Sequence, residues 1–154
     1  MTAAWADFEA AEPVFAQRVR GLFTAHKHHT MATLRRDGSP RISGTEVRFE
    51  AGDIVVGMMH GARRAGDLRR DPRIALHTHT VDPPAAGEDQ GTWCGDAKIS
   101  GIARELPAGD DDPPAHHFRL EIEEVAHVRL GVPADHLVVE SWRPGRGVER
   151  VERR

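Results

Sequence analysis

Two arginines stand where a helix should least welcome them. In HGARRAGDLRRDP, residues 60–72, Arg63 and Arg64 fall in the expected first turn of a short helix. There they oppose the positive end of the helix dipole, at a cost of at least a few tenths of a kcal/mol. A bound anion removes the conflict. A phosphate, with roughly −1.5 to −2 charges near neutral pH, accepts both from free N–H groups at a helix start and from guanidinium forks. The plain alternative is a solvated basic face paired with Asp67 and Asp71, since most charged helix faces are simply wet.

A second feature complements the first. In the stretch PRISGTEVRF, strand alternation puts Arg41, Ser43, Thr45, Val47 and Phe49 on one side and Ile42, Gly44, Glu46 and Arg48 on the other. Small and hydroxyl residues at its entry, where a packed strand would carry bulky ones, leave a groove. A flat ring fits such a groove, held by backbone N–H and C=O groups, while Arg41 at the strand's start reaches a phosphate. A merely kinked strand is the alternative.

Other reactive residue types carry less. His26, His28 and His29 cluster, His77 and His79 share a strand face, and His116 adjoins His117. Adjacent strand residues point to opposite faces and cannot both reach one ion, and neither HExxH nor a cysteine pair is present, so no metal site is assigned. Cys94 is the only cysteine, which excludes an internal disulfide and suits a reducing cytosol. It lies among Gly and Asp without thiolate stabilisation and reads as inert. There is no G-x-S-x-G elbow and no tyrosine, so neither a nucleophile nor a phenolic acid is on offer. Redox chemistry, if the chain is an enzyme, then belongs to a cofactor, and no catalytic side chain is assigned.

The elements that must position these residues follow from periodicity. A length of 154 residues predicts one domain spanning 1–154. A net charge of −3 is not that of a nucleic-acid binder. No basic-then-apolar leader and no bilayer-length apolar run occur, so a cytoplasmic protein without membrane insertion is expected. Residues 1–23 read as an N-terminal helical segment, with Phe15, Val19 and Leu22 at helical spacing after Pro13. TMATLR, PRISGTEVRFE and DIVVGMM follow, separated by Asp37-Gly38 and Ala51-Gly52, and predict a three-stranded antiparallel meander. GARRAGDLRRDP predicts a short internal helix stopped by Pro72. RIALHTHT, AKISGIAREL, FRLEIEEVAHVRL and HLVVESW supply further strands, with a bulge expected at Gly101 and a phase slip between Ile122 and Val128, after which Val128 and Leu130 continue the alternation. Residues 81–96 and 106–117 read as long loops, the first a lid or an adornment. The fold class is mainly β (α+β), an antiparallel barrel of six or seven strands with helices appended.

The order of these features brings a resemblance with it. ATLRRDGSPRISGTEVRFEAGDIVVGMMHGARRAGDLRRDPRIALH resembles the cofactor-binding half of the pyridoxamine 5'-phosphate oxidase-like family, the FMN-binding split β-barrels, and GDAKISGIAREL and VVESWRPGRGVERVER resemble closing strands of its actinobacterial flavin and deazaflavin oxidoreductases. The resemblance implies an oxidoreductase that uses FMN, or alternatively a deazaflavin coenzyme, on a small organic substrate. A non-catalytic flavin- or haem-binding protein is the rival reading, haem being handled by some relatives although no histidine here matches a ligand motif. It implies a ring held along Arg41, Ile42, Ser43, Gly44 and Thr45 and by Met58, Met59 and His60, with the phosphate at Ala62-Arg63-Arg64, where the family has a Ser-Arg-Lys-like run. Arginine in place of that lysine keeps the charge but not the geometry. It also implies a homodimer with the cofactor between protomers, Trp142 and Arg143 meeting the partner's cofactor.

Overall fold

A computed structural model describes residues 1–154. Two helices open the chain, α1 (Trp5–Ala11) and α2 (Pro13–Thr24). Only the second is legible as a periodic pattern. The break lies at Glu12, with φ −137°, and Pro13 takes the first-turn position where its missing N–H is harmless. Seven residues are too short for α1 to be stable alone. It is held by Trp5 and Phe8, both buried, with the Phe8 ring 4.8 Å from Trp142 and 5.3 Å from Phe15.

Nine strands follow: β1 (His29–Leu34), β2 (Pro40–Thr45), β3 (Val47–Glu50), β4 (Asp53–Met58), β5 (Arg73–His77), β6 (Asp96–Glu105), β7 (His116–Leu130), β8 (Leu137–Arg143) and β9 (Gly147–Arg153). The internal helix, α3 (Arg63–Arg70), lies between β4 and β5. The sheet runs β2-β1-β5-β6-β7-β4-β3, and β8 and β9 branch from β7. The count exceeds the expected six or seven because PRISGTEVRFE is two strands and the charged C-terminal segment is a strand too.

The expected meander is corrected at Glu46. In-out alternation continues through it unbroken, yet the partner changes: Thr45 pairs with His29 on β1, whereas Val47 pairs with Val56 on β4. This exchange of partners opens the barrel. On its other side β7 gives one edge to β4 at residues 116–119 and then to β8 at residues 125–130. Ala3 fills the interval, exchanging backbone hydrogen bonds of 2.9 and 2.7 Å with Ile122.

The bulge falls where glycine predicts it, between Ser100 and Gly101. A Cβ on Gly101 would stand 2.0 Å from the Glu121 carbonyl oxygen, so no other residue fits without backbone movement. Glu123 has no opposite number, and the buried series on β7 shifts from Leu120 and Ile122 to Val125 and His127. The phase slip is therefore present, but Val128 and Leu130 fall on the less buried face. RIALHTHT is also shorter than expected: β5 stops at His77, and His79 instead donates its backbone N–H to His29 Nδ1 at 2.9 Å.

Candidate functional site

Helix α3 brings Arg63, Gly66, Asp67 and Arg70 to one face by their spacing of three and four. That face meets Arg35, Arg36 and Asp37 of the β1–β2 turn and Arg41 at the start of β2, enclosing a cleft of 640 Å³. Asp67, 3% exposed, is its hub. Its carboxylate accepts from the Thr33 hydroxyl at 2.8 Å, from Arg41 Nε at 2.6 Å and from Arg70 Nη2 at 3.1 Å. Burial pushes this carboxyl up, but the hydrogen bonds from Arg41, Thr33 and Arg70 outweigh it and hold the pKa below its ordinary value. Asp67 is thus ionised, and it fixes Arg41 through Nε alone, leaving the two terminal nitrogens free of protein partners.

Five guanidinium groups against two carboxylates give the cleft a net charge of +3. Arg63 is exposed and forms neither a hydrogen bond nor an ion pair with the chain. Arg64 lies elsewhere. One residue on from Arg63, it is turned about 100° around the helix, half-buried with its Nε unpartnered, and outside the cleft. The cationic locus is therefore the flank of α3 with Arg41 and Arg63, rather than the helix tip with Arg63 and Arg64. Arg35, Arg36, Arg70 and the organising role of Asp67 were not legible. Their only sequence signal is the pair of arginines before Asp37-Gly38, and nothing local says that this turn will fold onto α3.

β2 ends the sheet, so every second peptide group on its outer edge lacks a strand partner. On its solvent face Ile42 is 74% exposed and Gly44 has no atom within 4 Å of a would-be Cβ. Thr30, Ala32, Ala75 and His77 continue this face across β1 and β5 with no helix over it. Ser43 is half-buried and Thr45 buried; they share one face as alternation predicts, and that face is the inner one. Past β4, Met58 is packed in the core, while Met59 and His60 are exposed on the way into α3. The His60 ring stacks on His116 with centroids 5.6 Å apart. Trp142 is 5% exposed and packs against Phe8 inside its own chain, so its indole is not presented to a neighbour. Arg143 is exposed and bonded to Glu124 at 2.8 Å. The structure thus joins Arg41 and Arg63 in one cleft with β2 leading away from it, and keeps Trp142 and Arg143 apart from them.

Against solved structures the architecture is familiar. PhzG from Burkholderia lata, solved with tetrahydrophenazine-1-carboxylic acid, superposes with a TM-score of 0.65 at 14% identity, over 96% of this chain and 94% of that one. A pyridoxamine 5'-phosphate oxidase-related, FMN-binding protein from Nostoc punctiforme gives 0.63 at 9% identity, over 93% and 96%. The fold is the split β-barrel of the pyridoxamine 5'-phosphate oxidase-like proteins. HutZ, the haem storage protein of Vibrio cholerae, shares the split barrel less closely, at 0.52 and 16% identity over 73% of this chain and 90% of that one. No protein-family profile matches the chain. No helix of this split barrel is long and apolar enough to cross a membrane.

Proposed function

We propose that this split barrel is an FMN-binding oxidoreductase acting on a small organic substrate, with the flavin phosphate in the arginine cleft and the ring along the free edge of β2 towards His60. The observation that carries the reading is Arg41: Asp67 claims its Nε and aims the guanidinium, while both terminal nitrogens stay available beside Arg63 in a cleft of net charge +3. A phosphate dianion is the complement of that arrangement. Next to it the bare Gly44 and the unpaired edge of β2 suit a flat heteroaromatic ring that needs backbone donors and acceptors. The residues present therefore fit FMN. Bound flavin would supply the electron transfer, and the chain's own residues would bind the phosphate, fix the ring against the sheet edge and limit access to it. A deazaflavin coenzyme offers a similar ring and a phosphate, and it is the variant of this reading.

A homodimer belongs to the same proposal. The uncovered face of the sheet carries Ile42, Val139 and Val151 together with Lys98 and Arg153 against Glu124 and Glu149. Apolar residues mixed with both signs of charge make a self-complementary patch, which a two-fold contact requires. Light scattering should give twice the chain mass.

The direct test is the absorbance of the purified protein followed by a flavin fluorescence titration. A flavin spectrum, or saturable quenching of added FMN, is the expected result. A Soret band would favour the haem-binding alternative. A colourless protein that leaves FMN fluorescence unchanged would overturn both.

A further inference from the structure

Strand β9 reads GVERVER, and every residue from Val148 to Arg153 is exposed. It pairs with β8 alone, so its outer edge presents a row of unpaired backbone N–H and C=O groups. Its charges are only partly matched within the chain. Arg150 reaches Glu152 at 3.2 Å, both side chains being more than half exposed, while the side chains of Glu149 and Arg153 form no ion pair or hydrogen bond. Charges on a free edge ordinarily keep other strands away. On β9 their order favours one neighbour.

Two copies of one edge strand become antiparallel neighbours about a two-fold axis normal to the sheet, since a two-fold along the strands would set them parallel. Such an axis carries each face of the sheet onto the same face of the other copy. Opposite residues share a face, so two residues can meet only when they are an even number of positions apart. Few registers remain. Centred on Gly147, Val148 or Arg153, the strands overlap by three residues at most. Centred on Glu149, Arg150 or Glu152, the pairing sets that charge against its own copy and a valine against a charged residue. Centred on Val151, it sets Glu149 opposite Arg153, Arg150 opposite Glu152 and Val151 opposite Val151, and the two-fold repeats both charge pairs. Every position from 149 to 153 is then matched.

We propose that β9 joins the β9 of a second copy of this chain, antiparallel about Val151, so that one sheet continues through both copies. Opposite charges facing each other on neighbouring strands stabilise the pair and like charges destabilise it, so the charge order admits this register and rejects its rivals. The contact is separate from the facial dimer proposed above and does not rest on it. Glu149, Val151 and Arg153 line the uncovered face, whereas Arg150 and Glu152 point to the other side of the strand. A facial two-fold lies along the sheet and the edge two-fold stands normal to it, so the two together build a tetramer. So short a pairing makes a small interface, and the contact forms as the chain is concentrated.

Sedimentation of the full chain between about 1 μM and about 1 mM should show the mass found on dilution doubling with concentration, from monomer to dimer or from facial dimer to tetramer. Hydrogen exchange of the outward β9 amides should slow over the same range. Arg150→Glu makes positions 150 and 152 both acidic, and Glu152→Arg makes both basic. Neither variant should double alone, whereas an equal mixture of the two should, because each charge then meets its opposite across the edge. A wild-type mass that stays constant, β9 exchange that does not slow, or doubling that survives in either variant alone would overturn the proposal. Failure of the facial dimer would show differently, as a single chain mass in dilute solution with the doubling intact.

Discussion

Replacing Arg63 by alanine tests the arginine cleft most sharply. Arg63 is exposed and unpaired within the chain, so its loss should alter stability by no more than about 0.5 kcal/mol. Its effect on a dianion should be much larger. The cleft falls from +3 to +2, and one charge-assisted hydrogen bond, worth about 1.5–3 kcal/mol, is lost. That corresponds to a rise of about 10- to 150-fold in the FMN dissociation constant. Riboflavin, which has the ring but no phosphate, is the internal control and should bind Arg63→Ala and wild type alike. Arg64→Ala should keep the FMN constant within a factor of about three, because Arg64 lies outside the cleft. Higher salt should shrink the wild-type preference for FMN over riboflavin, as the Debye length contracts from about 10 Å at 0.1 M to about 3 Å at 1 M. Fluorescence quenching at fixed flavin measures all of these. Equal losses for FMN and riboflavin would refute the phosphate assignment, and a loss on Arg64→Ala without one on Arg63→Ala would return the anion to the helix tip.

Asp67→Ala leaves Thr33 and the partly buried Arg41 guanidinium without their acceptor, so a loss of about 3–5 kcal/mol is expected in urea unfolding. An unshifted midpoint would remove Asp67 as the hub. Acid should weaken the fold in two stages. Burial lowers the pKa of His29, whose Nδ1 accepts from the His79 N–H while Nε2 serves the Phe23 and His26 carbonyls, and burial lowers that of His127 as well. Below about pH 6.5 the unfolded chain therefore binds protons that the folded chain refuses, and stability falls with pH until the folded rings titrate too. Asp67 and Glu140, both held below their ordinary values, add a later loss in the carboxylate range. Melting temperatures flat between pH 7 and pH 5 would contradict the histidine stage. Gly95→Ala forces a Cβ to 1.9 Å from the Val128 oxygen at a φ of +78°. It should lower stability by about 1–3 kcal/mol or more, and an unchanged thermal midpoint would show that the connection between β5 and β6 is not clamped to β7.

Much of the fold was legible because its signals are local. Helix α2, α3 and most strands follow from the spacing of apolar residues and from Gly, Pro and Asp at turns, which each segment carries in itself. The bulge at Gly101 and the shared face of Arg41, Ser43 and Thr45 belong to that class. Other elements carry no such signal. In β9, GVERVER, nearly every side chain is exposed, so apolar alternation is weak and the free edge of β8 specifies the strand. Helix α1 is too short to show a period and exists because Trp5 and Phe8 are buried against the barrel.

By itself the sequence determined most strands, helix α2, helix α3 and the turns between them, which residues of β2 share a face, and that α3 carries a pair of arginines in its first turn. Tertiary structure alone decided that β2 and β3 part company at Glu46, that Arg35 and Arg36 join Arg63, and that Arg41 is aimed by Asp67. The reason is distance along the chain. Alternation is a property of neighbouring residues, whereas the choice of strand partner, and the field that separated charges make together, depend on barrel closure and exist only once remote segments have been packed side by side.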